Sequence, residues 1–141
     1  MNQNLILYPA MAMLLLNFVV AVILLKRRIK AVQEGLNPAY FRFNRGAKLP
    51  DQLLTAEQHY QNMHEMPMAF FVMIVLVYLA VEVNLFFLII AWAYVIFRVI
   101  HTIIHLGGNN ILWRRNAFVA SFIVLSLMWL ALLVEILPVN G

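Results

Sequence analysis

From Leu5 to Leu25 the chain runs for 21 residues without a charged side chain. A helix rises ~1.5 Å per residue, so a stretch of this length just crosses the ~30 Å hydrocarbon layer of a bilayer. Three further apolar segments follow at about 60–81, 85–106 and 116–137. The composition agrees: 65% of the residues are hydrophobic and 11% are charged, where a soluble domain carries roughly 25% charged residues. The expected fold is an all-α integral membrane protein. It is a four-transmembrane-helix bundle forming one domain over residues 1–141.

The charges orient the bundle. None precedes the first segment, and Lys26-Arg27-Arg28-Ile29-Lys30 follows it. A secretory signal has the opposite polarity, so this segment reads as a retained span. Gly35 and Pro38 supply stop signals after it. The loop over 26–56 holds seven basic side chains against two acidic ones, a net +5, and Arg114 and Arg115 open the fourth span. Basic loops stay inside, which makes the main loop cytoplasmic and puts both termini outside. The net charge of +4 then follows from topology and needs no nucleic acid partner. The absence of cysteine excludes disulfides, thiolate metal sites and a cysteine nucleophile. Any thiol chemistry must use a thiol brought by a ligand.

Asn37-Pro38, Asn44-Arg45-Gly46 and Leu49-Pro50-Asp51 mark turns in the loop. The second helix is expected to start near Asp51 or Thr55, where Thr55-Ala56-Glu57-Gln58 fits a capping box. Its first turns are polar, and Gln58, Asn62 and Glu65 share one face. Pro67 removes a backbone donor and predicts a kink.

The third span carries the feature with chemical content. Tyr94, Arg98, His101 and His105 recur at steps of four, three and four, which places them on one helix face among Val, Ile and Phe. A buried Arg costs at least ~2.5 kcal/mol on insertion scales unless it faces protein or water. The very short Glu82-Val83-Asn84 turn sets which residues of spans two and three lie level. Glu65 and His101 both lie 18 residues from Val83, while Asn62 lies 21 away and His105 22. His105 and Arg115 both lie five residues from Asn110 in the next turn. Asn62, Glu65, Arg98, His101 and His105 are therefore expected in one polar cluster at the cytoplasmic end, with Arg28, Arg114 and Arg115 at its rim. The outer half of the bundle offers almost nothing comparable, which argues for a cavity open to one side over a through-channel.

Excess positive charge with one buried carboxylate suits a small polyanion that also bears an amine. Arginines hold carboxylates through paired donors, and Glu65 can hold an ammonium. Glutathione has these groups and a thiol. A free thiol near pKa ~8.5 is mostly protonated at neutral pH, and a guanidinium beside it favours the reactive thiolate. Plainer readings stand next to this one. Glu65 and Arg98 fit a structural ion pair, and Tyr94 fits helix packing. His59 and His64 fit the membrane interface better than a ligand site. The i, i+4 pair His101 and His105 is a metal-ligand spacing, but Arg98 opposes a cation, so no metal is expected.

Asn62-Met63-His64-Glu65 followed by Pro67, then Arg98-Val-Ile-His101-Thr-Ile-Ile-His105, and Arg114 beyond them, together resemble the MAPEG family. These are the membrane-associated proteins in eicosanoid and glutathione metabolism. The motif match covers mainly residues 58–118, and the four-span layout matches along the whole chain. The resemblance is to a bacterial-type member similar to microsomal glutathione transferases, which implies the bacterial inner membrane. It implies a homotrimer in membrane lipid, with glutathione as co-substrate bound between subunits. Asn62, Glu65, Arg98 and His101 would hold the tripeptide together with Arg28 and His105, and Arg114 would be the catalytic residue that stabilises the thiolate. The second substrate would be a lipophilic electrophile, conjugated to glutathione, or a lipid hydroperoxide, reduced by it. The alternative is a non-catalytic membrane scaffold or small-anion binder on the same fold. Gln58 and Gln61 stand where well-known members carry arginines, and His105 where many carry a tyrosine.

Overall fold

A computed structural model describes residues 1–44, 46 and 48–137. Arg45, in the middle of one expected turn, and the last four residues of the C-terminus expected outside fall beyond the described residues. A short 3-10 turn over Gln3–Ile6 leads into α1 (Leu7–Gln33); α2 (Tyr40–Phe43) lies in the loop, and α3 (Asp51–Ala80), α4 (Leu85–Leu106) and α5 (Ile111–Ile136) follow. No strand occurs among the described residues. The four long helices are each long and apolar enough to cross a membrane, and the protein is an integral membrane helical bundle.

The helix ends follow from local chemistry. Gly35 adopts φ +106°, a left-handed value that side chains resist. It lets Leu36 N–H reach back to the Ala31 carbonyl at 2.9 Å, closing α1 in the manner of a Schellman cap. α3 begins at Asp51 after Pro50, with no side-chain cap, so the capping box at Thr55 is not used. Thr55 already lies inside the helix, and its hydroxyl donates to the Gln52 carbonyl at 3.1 Å. α3 continues as helix through Pro67. Asn84 caps α4 by accepting from Phe87 N–H. Asn110 caps α5 by accepting from Leu112 and Trp113 N–H. Between these two helices Gly107 is held tight: a Cβ there would sit 2.8 Å from the Ile103 carbonyl oxygen.

α3 and α4 form the centre of the bundle. α1 packs mainly on α3 and α5 mainly on α4, each also touching the other central helix, while α1 and α5 do not meet. Ile6, Met13, Met63, Phe70, Phe87, Tyr94 and Met128 fill the core without exposure above 1%. Tyr94 stacks on Phe70 with ring centroids 4.3 Å apart, a packing contact of the kind aromatic pairs favour. Many large apolar side chains point outward, among them Leu79, Ile103 and Val134, as a lipid-facing surface requires. At the end opposite the loop, Gln3 donates to the carbonyls of Tyr78 and Val81 and accepts from Val83 N–H, closing the α3–α4 turn.

At the loop end a single arginine ties three helices. Arg27 on α1 donates to the Gln52 carbonyl at 2.6 Å and the Thr55 hydroxyl at 3.2 Å on α3, and to the Leu106 carbonyl at 2.8 Å at the end of α4. Its neighbour Arg28 makes a half-exposed ion pair with Glu57 at 3.0 Å and lies over the Phe41 ring, 5.1 Å from its centroid. Arg27→Met is expected to cost about 2–3 kcal/mol, because charge-assisted bonds to carbonyls are lost and the acceptors stay behind. Arg28→Met should cost under about 1 kcal/mol, the usual worth of an exposed pair. Thermal unfolding of both variants in the same detergent measures the contrast; equal midpoints would refute it.

Candidate functional site

The polar stripe on α4 is turned fully inward. Arg98 is 0% exposed, and His101 and His105 are each 2% exposed. The helical spacing put them on one face, and the central position of α4 buries that face on α3 and α5. Arg98 reaches α3, where its Nη2 lies 3.3 Å from both the Asn62 carbonyl and Met63 Sδ. Pro67 has no N–H to give the Met63 carbonyl, so this turn of α3 is the one with a loosened backbone ladder. The Arg98 guanidinium also lies 6.0 Å from the Phe118 ring centroid on α5. Its Nε and Nη1 have no partner among the described residues.

An open cleft of about 530 Å³ lies over this cluster, lined by Asn62, His101, His105, Arg114, Arg115 and Phe118, with Gln58 and Gln61 on its α3 rim. Arg114 is held in place twice. Its side chain donates to Asn109 Oδ1 at 2.7 Å, and its carbonyl oxygen accepts from His101 Nδ1 at 3.1 Å. No carboxylate lines the cleft. The ion pairs among the described residues, Arg28–Glu57 and Lys30–Glu34, lie elsewhere.

Of the residues expected at the site, Asn62, His101, His105 and Arg114 share the cleft, and Arg98 lies against it through Asn62. Two others are not brought to the cleft within the single chain. Glu65 is exposed and makes no ion pair with Arg98: the polar face of α3 to which it belongs points out of the protomer. Arg28 is engaged with Glu57 and is not brought to the cleft.

His59 is corrected. Expected at the membrane interface, it is 0% exposed at the centre of the cluster. Its Nδ1 lies 3.1 Å from His105 Nδ1 and its Nε2 2.9 Å from the Thr102 hydroxyl. His59 lies 24 residues from Val83, close to the level of His105 at 22. His59 also starts the α3 row His59, Met63, Pro67, Phe70, Ile74 and Val77, all buried. His59, His101 and His105 offer nitrogens within 4.8 Å of one another, a spacing that three ligands of one metal ion could have. The uncompensated Arg98 beside them disfavours a divalent cation, and an anion suits this donor set better.

The MAPEG family model matches residues 6–134. The chain belongs to the MAPEG family. No curated protein and no solved structure gives a significant match. MAPEG proteins are membrane bundles whose members include glutathione transferases and peroxidases among others, and many members use glutathione. In this MAPEG chain the family match runs across every helix that contributes to the cleft.

Proposed function

We propose that the protein is a membrane-bound glutathione-dependent enzyme. It adds glutathione to lipophilic electrophiles or reduces lipid hydroperoxides with it. The observation that carries this reading is the charge inventory at the cleft: Arg114 and Arg115 line the opening with no carboxylate among the lining residues, and Arg98, buried outside the lining but in contact with the lining residue Asn62, has no counterion among the described residues. Leaving a charge uncompensated inside a protein costs several kcal/mol. A guest bearing two carboxylates and an ionisable thiol removes that cost. The bilayer supplies the apolar substrate, and the aqueous end of the bundle supplies the peptide.

Glutathione sits between protomers of a homotrimer in this reading. Gln58, Gln61 and Glu65 support it, because these polar side chains of α3 are exposed on the face next to the cleft. Glu65 then meets the guest's ammonium from an outward face, with Arg28 contributed at the rim. The main loop faces the cytoplasm.

The test is difference absorbance for bound thiolate on adding glutathione to purified protein, together with conjugation of an activated aryl halide. Saturable thiolate formation with turnover is the expected result. Wild-type protein with neither signal would reject the reading and leave a scaffold or anion binder.

A further inference from the structure

The hydrogen bonds around His59 can be read in direction, because their last acceptor is a carbonyl. Thr102 Oγ1 lies 2.8 Å from the Arg98 carbonyl oxygen. A carbonyl only accepts, so the hydroxyl proton of Thr102 is committed there. The contact of His59 Nε2 with the same hydroxyl must then have the imidazole as donor. A neutral His59 with its proton on Nε2 has a bare Nδ1. The 3.1 Å contact between the two Nδ1 atoms therefore requires His105 to donate from Nδ1. His105 Nε2 is left as a lone pair, and it is one of the buried atoms without a partner.

From this chain of donors we infer that His105 is a catalytic residue, the base that takes the thiol proton of glutathione at Nε2, and that His59 is the positioning residue that fixes it in the accepting tautomer. The inference rests on the proposed glutathione reading and deepens it. The S–H bond breaks, the proton passes to Nε2, and the electron pair stays on sulfur beside the Arg114 guanidinium. The thiolate forms the S–C bond to the electrophile; a carbanion so produced takes the proton back from His105, and where a halide leaves instead, the halide and the His105 proton both pass to water. Atoms and charge balance without an added reductant.

The orphaned groups favour this over a metal. The cleft region has unpartnered donors on Arg98 and unpartnered acceptors on His101 and His105. A thiol uses both kinds, losing its proton to an acceptor and gaining donors as an anion. A metal ion would use the acceptors and be repelled by the guanidinium. His101 presents a bare Nε2 of the same tautomer, its Nδ1 proton being given to the Arg114 carbonyl; His105 is preferred because an imidazole able to share the charge stands behind its Nδ1, where His101 has only a carbonyl.

Proton counting on wild-type protein tests the step. At pH 7, glutathione binding should form thiolate with no proton released to an indicator dye, because the new thiolate offsets the guanidiniums of Arg98 and Arg114 that face His105 and lets it keep the proton. One proton released per thiolate would overturn the inference. His105→Phe should lower kcat/KM by ~10²-fold at pH 7, the usual worth of a positioned base. The deficit should narrow towards pH 9, where a thiol of pKa ~8.5 ionises unaided. His59→Asn keeps an acceptor for the His105 Nδ1 proton and should retain most of the rate, whereas His59→Leu should reproduce the pH profile of His105→Phe. Unchanged rates in His105→Phe with glutathione still bound would sink the base but spare the function. No glutathione binding by wild type would sink both. Activity insensitive to a strong chelator is expected, and its loss on chelation would replace the base with a metal.

Discussion

Arg114→Ala is expected to lower kcat/KM for glutathione conjugation by ~10²–10³-fold, the range seen when one donor to a developing anion is removed. The thiolate signal should disappear at pH 7 while the fold persists. Persistence follows from where the local structure gets its support. The first turn of α5 is capped by Asn110, and the α4–α5 contact from His101 goes to the Arg114 carbonyl, not to its side chain. The side chain gives up only its bond to Asn109. Arg114→Lys should recover part of the rate, because a charge remains while the planar fork of donors is lost. A variant that melts like wild type and still forms the full thiolate signal would remove Arg114 from the chemistry.

The second large effect has opposite signs in two measurements. Arg98→Met should leave the ligand-free protein no less stable than wild type, and glutathione should bind it about 30-fold to 5 × 10³-fold more weakly. Arg98 is wholly buried, yet only Nη2 finds partners, both at a long 3.3 Å. The desolvation cost of such a charge is several kcal/mol and is poorly offset by two weak contacts. Met keeps the shape of the stem and loses the charge. A guest carboxylate loses the matching partner, and breaking a buried charge pair costs about 2–5 kcal/mol of binding. Thermal melts with and without glutathione read both signs at once. A lower ligand-free midpoint with unchanged glutathione stabilisation would show Arg98 to be structural.

The fold class was legible from the first apolar run onwards, because hydrocarbon thickness and helix rise leave little choice for a chain of this hydropathy. The inward stripe on α4 was legible for the same reason: Arg98 cannot face lipid cheaply. The partners of that stripe were only half legible. Helical spacing shows which residues share a face, and the Glu82–Asn84 turn shows which share a level. Neither says which face of α3 looks at α4. Gln58, Asn62 and Glu65 are collinear, but the row that packs inward is His59, Met63, Pro67 and Phe70. Asn62 lies at the border between the two and meets the cleft, while Glu65 does not meet Arg98. Arg27 and Arg28 illustrate the same limit. Both belong to the basic run that signals topology, with Arg28 alone also expected at the rim of the cluster, and their separation by about 100° around α1 makes Arg27 a three-helix anchor and Arg28 a partner of Glu57.

The bond from His101 to the Arg114 carbonyl has an evolutionary corollary. Because the anchor is main chain, descendants of this protein can exchange the residue at that place without disturbing how the last two helices dock. A phosphate-holding lysine, a proton-donating tyrosine or a serine would be offered to the same guest from the same spot. New reactivity on this scaffold can then be reached by single codon changes, with no need to repack the interior first.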